Sequence, residues 1–162
     1  MTMGPMSHAT AADGSLPLAR LVAIAYRQLI TDLHAELAAQ GWIGVRPAYG
    51  FALLSLRDGP LTGGELGVAL GMTKQASSKL VDTLVEEGYV CRCPPARDGR
   101  VRPVELTERG RGLLAASETI YHSLENRWAE VIGPARLAAL REDLVAVVRQ
   151  EDGELPPVRP LW

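Results

Sequence analysis

Cysteine is scarce in this sequence of 162 residues, where Cys91 and Cys93 are the only two. They stand two positions apart, so they cannot cross-link distant parts of a secreted fold. Long apolar runs are also absent. None approaches the ~18 residues that a membrane-spanning helix needs, and the early segment LVAIAY lacks the basic flank and cleavage pattern of a signal peptide. These absences predict a protein of the reducing cytoplasm that is neither exported nor inserted into a membrane.

The motifs of the common enzyme classes are missing as well. The sequence contains no Gly-rich phosphate loop after a predicted strand, no Gly-x-Ser-x-Gly elbow and no His-Glu-x-x-His helix. Cys91 and Cys93 would face the same side of a strand and could share a soft metal ion or become oxidised, but metal sites need more ligands than two. We therefore expect no catalytic residue, no metal and no cofactor. A redox- or metal-responsive role for the cysteine pair stays open as an alternative.

The sequence also lacks an overall excess of positive charge. Seventeen Lys and Arg residues against nineteen Asp and Glu give a net charge of −2, so the chain should not bind nucleic acid along its whole length. Charge is nevertheless segregated: residues 88–111 contain six arginines and three acids, whereas residues 112–162 contain five arginines and eight acids. This split suits a protein that presents one basic edge to DNA phosphates. The alternative is that these arginines only keep a β-edge from aggregating.

Apolar residues recur at steps of three and four in several stretches, and this spacing predicts helices. One helix is expected over residues 17–40, another begins near Pro47, and two more cover 108–132 and 135–150. The apolar stripes of the first helix and of the two C-terminal helices are longer than the middle of the chain can cover. Leaving apolar surface exposed to water costs roughly 25 cal/mol per Å². We therefore expect a second copy of the chain to cover these stripes in a symmetric homodimer.

The middle of the chain carries the signals of a helix-turn-helix followed by a hairpin. Thr62 and Glu65 can form a capping box, and Thr73 can cap the next helix after a turn at Gly71. Beyond Gly88 the pattern alternates around an Asp-Gly hairpin dipeptide. We expect a mainly α fold with a small β-hairpin wing (α+β), built of a winged helix-turn-helix lobe and a helical dimerisation lobe. The expected boundaries are a tail at 1–15, a dimerisation helix at 16–44, the winged lobe at 45–106, C-terminal dimerisation helices at 107–150 and a tail at 151–162.

The second helix of this unit has two different faces. Its core side carries Ala76, Ser77, Leu80, Val81 and Leu84. Its other side presents donor-rich residues of the kind that reach base edges and phosphates in a major groove. These are Thr73, Lys74, Gln75, Ser78, Lys79 and Asp82. Arg97 and Arg100 bracket the hairpin tip, where a long cation can follow the DNA backbone or enter a minor groove. A plain solvated helix face is the alternative for the helix positions.

The stretch "LTGGELGVALGMTKQASSKLVDTLVEEGYVCRCPPARDGRVRPVELTERGR" resembles the winged helix-turn-helix core of the MarR family of transcriptional regulators. The resemblance rests on the cap and Glu-Leu start, the Gly-x-Thr turn, the Asp-x-Arg wing signature and "LTERG". It implies an obligate dimer with two recognition helices in successive major grooves of double-stranded DNA. It assigns DNA contacts to Thr73, Lys74, Gln75, Ser77, Ser78, Lys79 and the wing Arg100, with Asp98 orienting the wing. Gly99 departs from the family, which often has Arg there, and this predicts a weaker grip of the wing.

The same resemblance implies a ligand. Members of this family often release DNA when a small aromatic or phenolic anion binds between the dimer helices and the winged lobe. In this sequence the crevice would draw on Tyr26, His34, Trp42, Arg46 and Tyr49, with Phe51 as a further candidate. Ordinary packing at a helix junction is the alternative reading of these aromatics. A winged helix that only docks another protein also stays open, because a fold does not fix a function.

Overall fold

The computed structural model describes residues 16–94, 102–149, 153 and 156–159. Within them the chain forms mostly helices, with one antiparallel pair of short strands. The elements in chain order are α1 (Leu18–Ala39), α2 (Pro47–Ser55), α3 (Gly63–Leu70), α4 (Lys74–Glu86), β1 (Val90–Arg92), β2 (Val104–Leu106), α5 (Glu108–Ile132) and α6 (Pro134–Val148). The predicted fold class, mainly α with a hairpin wing, is confirmed.

Side-chain caps fix the start of three helices, and two of them are the threonines named in the sequence, Thr62 and Thr73. Thr62 Oγ1 accepts a hydrogen bond from the Glu65 amide at 3.1 Å, and the Glu65 carboxylate accepts one from the Thr62 amide at 2.7 Å, which completes the capping box. Thr73 caps α4 and Thr107 caps α5 more simply, each accepting one hydrogen bond from the amide three residues later. Gly71 ends α3 with φ of +66°, a left-handed conformation that favours glycine and reverses the chain toward α4.

The wing is a small antiparallel ladder at the base of the hairpin. Cys91 pairs with Glu105 and Arg92 pairs with Val104. Leu61, just before α3, adds a bridge to Val104 on the other side of β2, with backbone hydrogen bonds of 2.8 and 3.1 Å. No pattern in the sequence predicts this bridge, which ties the hairpin to the start of the helix-turn-helix. The Asp-Gly dipeptide of the tip falls in residues 95–101, outside the described residues.

One hydrophobic core joins the winged part to the long helices. It includes Leu33 and Leu37 of α1, Leu113, Ile120 and Leu124 of α5, and buried residues of α2, α3, α4 and both strands. The rest of the long helices contributes little to it. Leu18 and Val22 at the start of α1 are exposed, and α6 buries no residue at all. None of the helices in the described ranges has the length and apolar character that crossing a membrane requires.

Candidate nucleic-acid interface

The exposed face of α4 carries the polar residues that the sequence assigned to DNA. Lys74, Gln75, Ser78 and Lys79 are all exposed, while Leu80 and its neighbours on the opposite side are buried. The first turn of α4 contains no acidic residue. Because the N-terminus of a helix carries a partial positive charge and free backbone amides, this end of α4 attracts phosphate as well as presenting donors.

Thr73 has a structural role at this helix end. Its Oγ1 accepts a hydrogen bond from the Ala76 amide at 3.2 Å, so the side chain satisfies one of the unpaired amides of the first turn. Thr73 remains exposed and next to Lys74. The cap bond uses only the hydroxyl oxygen of Thr73 as acceptor, so it does not engage the hydroxyl proton.

Ser77 corrects the assignment that came from the resemblance. Its side chain is fully buried, and its Oγ donates a hydrogen bond of 2.5 Å to the carbonyl of Gly63. A Cβ added to Gly67 would lie 3.2 Å from the Ser77 Cβ, so α3 and α4 touch here. The hydroxyl holds the two helices together and is not presented to DNA. The helical spacing, which put Ser77 on the core side, was the better guide.

Arg92 is a residue of this surface that the sequence did not single out. Its Nη2 lies 2.5 Å from Oδ1 of Asp82, on the exposed side of α4. The pair joins the first strand of the wing to α4 and neutralises Asp82, the acid nearest to Ser78 and Lys79 on that face. Both side chains are largely exposed, so the pair adds little to stability. Its effect is on the electrostatic potential of this surface.

The other wing residues divide into two groups. Arg97, Asp98 and Arg100 lie outside the described residues, so the expectations for them stay predictions. Arg109 and Arg111, counted above in the basic segment, make contacts within the chain. The Arg109 guanidinium stacks on the ring of Tyr89 at 4.8 Å, and Arg111 Nη1 donates to the carbonyl of Leu106 at 2.7 Å. Part of the local positive charge therefore stabilises the fold.

A crevice lies between α1, α2 and α5, with a cavity of about 410 Å³. Three of the five predicted ligand residues line it, Tyr26, His34 and Arg46, and so does Phe51. Tyr121 and Arg57 line it too, although the sequence analysis missed both. Tyr121 stands four residues after the buried Ser117, and this spacing was the available signal.

Trp42 and Tyr49 do not line this crevice, so these two predictions are wrong. Tyr49 is fully buried on the core side of α2, and its hydroxyl donates a hydrogen bond of 2.6 Å to Glu87. Burial and this carboxylate raise the pKa of Tyr49 to about 12. Trp42 packs near Tyr89, with ring centroids 6.5 Å apart, and beneath the guanidinium of Arg109. Both aromatics belong to a structural cluster.

The polar groups of the crevice are neutral except for its arginines and one acid. Burial raises the pKa of Tyr26 and of Tyr121, which keeps both phenols protonated as hydrogen-bond donors. Burial also lowers the pKa of His34, so its imidazole is neutral near pH 7. Arg57 forms an ion pair with Glu118 on the wall. The exposed Arg46 is then the cation best placed to receive an anion.

The cysteine pair has no metal-binding surroundings in the part of the chain that the structure describes. Cys91 is exposed, with Sγ 3.8 Å from the Glu105 carboxylate, and Cys93 is partly buried. Desolvation and the Glu105 charge raise the pKa of the Cys93 thiol, which lowers its thiolate fraction and its reactivity. No group of three or more His, Cys, Asp or Glu side chains in the described residues could hold a metal ion.

Comparisons with known proteins agree with this architecture. Residues 43–101 match the sequence model of the MarR family. The reduced form of MarR from E. coli is 25% identical, covers 82% of this chain and 97% of its own, and superposes with a TM-score of 0.70. A mutant of E. coli MarR complexed with operator DNA is 24% identical over 82% of this chain and 94% of its own, with a TM-score of 0.64. The transcriptional repressor CouR, bound to a 23-mer DNA duplex, is 24% identical over 82% of this chain and 93% of its own, also with a TM-score of 0.64. No curated protein sequence matches this chain.

Proposed function

We propose that this chain is a DNA-binding transcriptional regulator of the MarR family and that it acts as a dimeric repressor of a pseudo-palindromic operator. The exposed N-terminal half of α4 carries this proposal, because it presents Lys74, Gln75, Ser78 and Lys79 with no acid in its first turn. Such a face suits a major groove, where amide and hydroxyl groups read base edges and lysines contact phosphates. The DNA complexes of MarR and CouR are consistent with this use of the fold.

The long helices support the dimer. Apolar side chains are exposed at the start of α1 and along α6, and α6 has no buried residue in the isolated chain. A second copy related by a twofold axis would cover this surface and set the distance between two recognition helices. Half-sites would then lie about one helical turn, roughly 34–36 Å, apart. DNA binding also fits the cytoplasmic location that the sequence predicts.

We propose a small aromatic acid as the ligand that releases the repressor. The crevice offers apolar walls, the phenols of Tyr26 and Tyr121, and Arg46 as the partner for a carboxylate. It lies between α1 and α5 on one side and α2, which leads into the helix-turn-helix, on the other. A ligand that binds better when the winged parts are spread apart would lower DNA affinity. By linkage, DNA would lower the affinity for the ligand by the same free energy.

The DNA proposal is tested by titrating the protein against the duplex upstream of its own gene and against a scrambled duplex, at about 50 and about 200 mM salt. We expect strong preference for the first duplex with steep salt dependence. Lys79→Ala should reduce the slope of log affinity against log salt concentration by the amount that about one phosphate contact contributes. Arg136→Ala, which removes an exposed cation on α6, should leave the slope unchanged. Equal weak binding to both duplexes, followed by an empty genome-wide fragment selection, would favour protein docking instead.

The ligand proposal is tested by adding a panel of aromatic carboxylates to the protein–DNA complex. At least one should release DNA, and Arg46→Gln should raise the concentration that is needed. Arg27→Gln is the matched control, because Arg27 is exposed on α1 and does not line the crevice. If Arg46→Gln and Arg27→Gln respond alike, the anion does not bind in this crevice.

A further inference from the structure

The C-terminal residues 156–159 fold back onto the helix-turn-helix. Arg159 Nε donates a hydrogen bond to the carbonyl of Ala69 at 3.2 Å, and its Nη2 donates to the carbonyl of Val68 at 3.4 Å. These carbonyls lie in the last turn of α3, where helix acceptors run short of amide partners; the Val68 carbonyl also accepts from the Gly71 amide at 3.2 Å. The guanidinium thus caps α3, at the end of the helix where the dipole favours a cation.

The stem of the same side chain packs over the turn between α3 and α4. A Cβ added to Gly71 would lie 3.4 Å from both Cδ and Nη1 of Arg159. Gly71 leads directly into the Thr73 cap of α4. Arg159 therefore contacts the short turn that sets the position of the DNA-reading helix relative to α3.

The neighbouring residue contacts the crevice. Val158 is one of the residues that line the cavity, together with Tyr26, His34 and Tyr121. Its side chain is 60% exposed, which puts it at the mouth of the cavity and not inside. Two consecutive residues thus contact the two places that the proposed function must connect.

We propose that residues 156–159 form an internal strap, which occupies the mouth of the crevice and is displaced when an aromatic anion enters. Consecutive Cα atoms are 3.8 Å apart, so moving Val158 also moves Arg159. The Arg159 hydrogen bonds are already at 3.2 and 3.4 Å, and a shift of a few tenths of an ångström takes them past the length at which such bonds hold. Displacing the strap therefore uncaps α3. The ligand class rests on the proposed function, but the strap itself does not.

The first test measures competition at the mouth with 1-anilinonaphthalene-8-sulfonate, an apolar aromatic anion whose fluorescence reports binding. The crevice component of the signal is the part that Arg46→Glu abolishes. We expect Val158→Ser, and the chain ended at residue 155, to bind the dye about three- to tenfold more tightly in this component. Ile43→Ser is the control, because Ile43 is an exposed apolar residue that does not line the cavity. Unchanged or weaker binding by both strap variants would overturn the proposal.

The second test measures amide hydrogen exchange at Gly71 and Met72, whose amides bond the carbonyls of Val68 and Gly67 at the end of α3. Arg159→Ala should speed exchange there, whereas Arg136→Ala should not. The dye should speed exchange in the full chain and have no further effect in Arg159→Ala. If the dye leaves the exchange rates of the full chain unchanged, the strap proposal is contradicted. Neither test uses DNA, so a failure to find an operator is distinguishable from a failure of the strap.

Discussion

At the scale of single residues, the adjacent Ser77 and Ser78 separate a structural role from the DNA-reading role that we propose. Ser77→Ala leaves the Gly63 carbonyl without its partner, so we expect the free energy of unfolding to fall by roughly 1–2 kcal/mol. DNA affinity at matched folded concentration should not change. Ser78→Ala, on the exposed side, should show the reverse pattern. Urea unfolding and DNA titration of both variants measure the two effects. Lost DNA affinity with unchanged stability in Ser77→Ala would restore the original assignment.

Asp82 is an acid on the exposed face of α4 that we propose for DNA binding, and its effect there depends on Arg92. Removing Arg92 exposes the Asp82 charge, so Arg92→Ala should weaken DNA binding roughly two- to tenfold. Asp82→Asn should recover most of that loss in the Arg92→Ala background. Arg102→Ala is the control background: there, the effects of Arg102→Ala and Asp82→Asn on the free energy of DNA binding should simply add. A double-mutant cycle on DNA affinity measures this coupling, and additivity in both backgrounds would show that the pair has no role at the interface.

His34 makes anion binding in the crevice depend on pH. Burial lowers its pKa below the ordinary 6.5, so the neutral form dominates at pH 7 and the proton is taken up only at lower pH. A protonated imidazole attracts an anion, and the affinity for the sulfonate dye should therefore rise as pH falls from about 7.5 to about 5.5. His34→Gln should flatten this profile, while His122→Gln, exposed on α5, should not. A rise that survives His34→Gln would assign the effect to another group.

At the scale of elements, α5 starts in close contact with the end of the helix-turn-helix. A Cβ on Gly110 would lie 2.1 Å from the carbonyl oxygen of Tyr89, which is backbone and cannot turn aside. We expect Gly110→Ala to lower the free energy of unfolding by about 3 kcal/mol or more. Gly63→Ala is the control, because a Cβ there meets nothing within 4 Å. Thermal unfolding compares the two variants. Equal stability would mean that α5 can move away without cost.

Local elements could be predicted from the sequence, whereas contacts between distant elements could not. The caps at Thr62 and Thr73 join a hydroxyl to a backbone amide only three residues away, so the local sequence is enough to predict them. Tyr49 was assigned to the crevice for its chemistry, although its spacing to the buried Ala52 and Leu53 indicated the core face. Trp42 offered no such signal, since its partner Tyr89 is distant in the chain. The crevice was therefore predicted only in part.

At the scale of the whole molecule, the separation of charge and of apolar surface predicts how the parts assemble. Acids outnumber arginines after residue 111, so that end is unlike the basic segment around the wing. The last helix, α6, exposes Leu140, Leu144 and Val148. A helix of 15 residues with no fully buried side chain gains little from packing within the chain, so a covering surface would stabilise α6. This stabilisation is the physical argument for a second chain.

The dimer is tested by placing charge on that surface. Leu140→Glu combined with Leu144→Glu should give monomers by light scattering and a loss of helical signal in circular dichroism, because the stripe on α6 no longer associates. Binding to a full operator should weaken far more than binding to a half-site, since only the dimer engages two grooves together. Arg136→Glu, on the same helix but already polar and exposed, should remain dimeric. If the double variant stays a dimer with unchanged operator affinity, α6 is not the interface and another partner covers it.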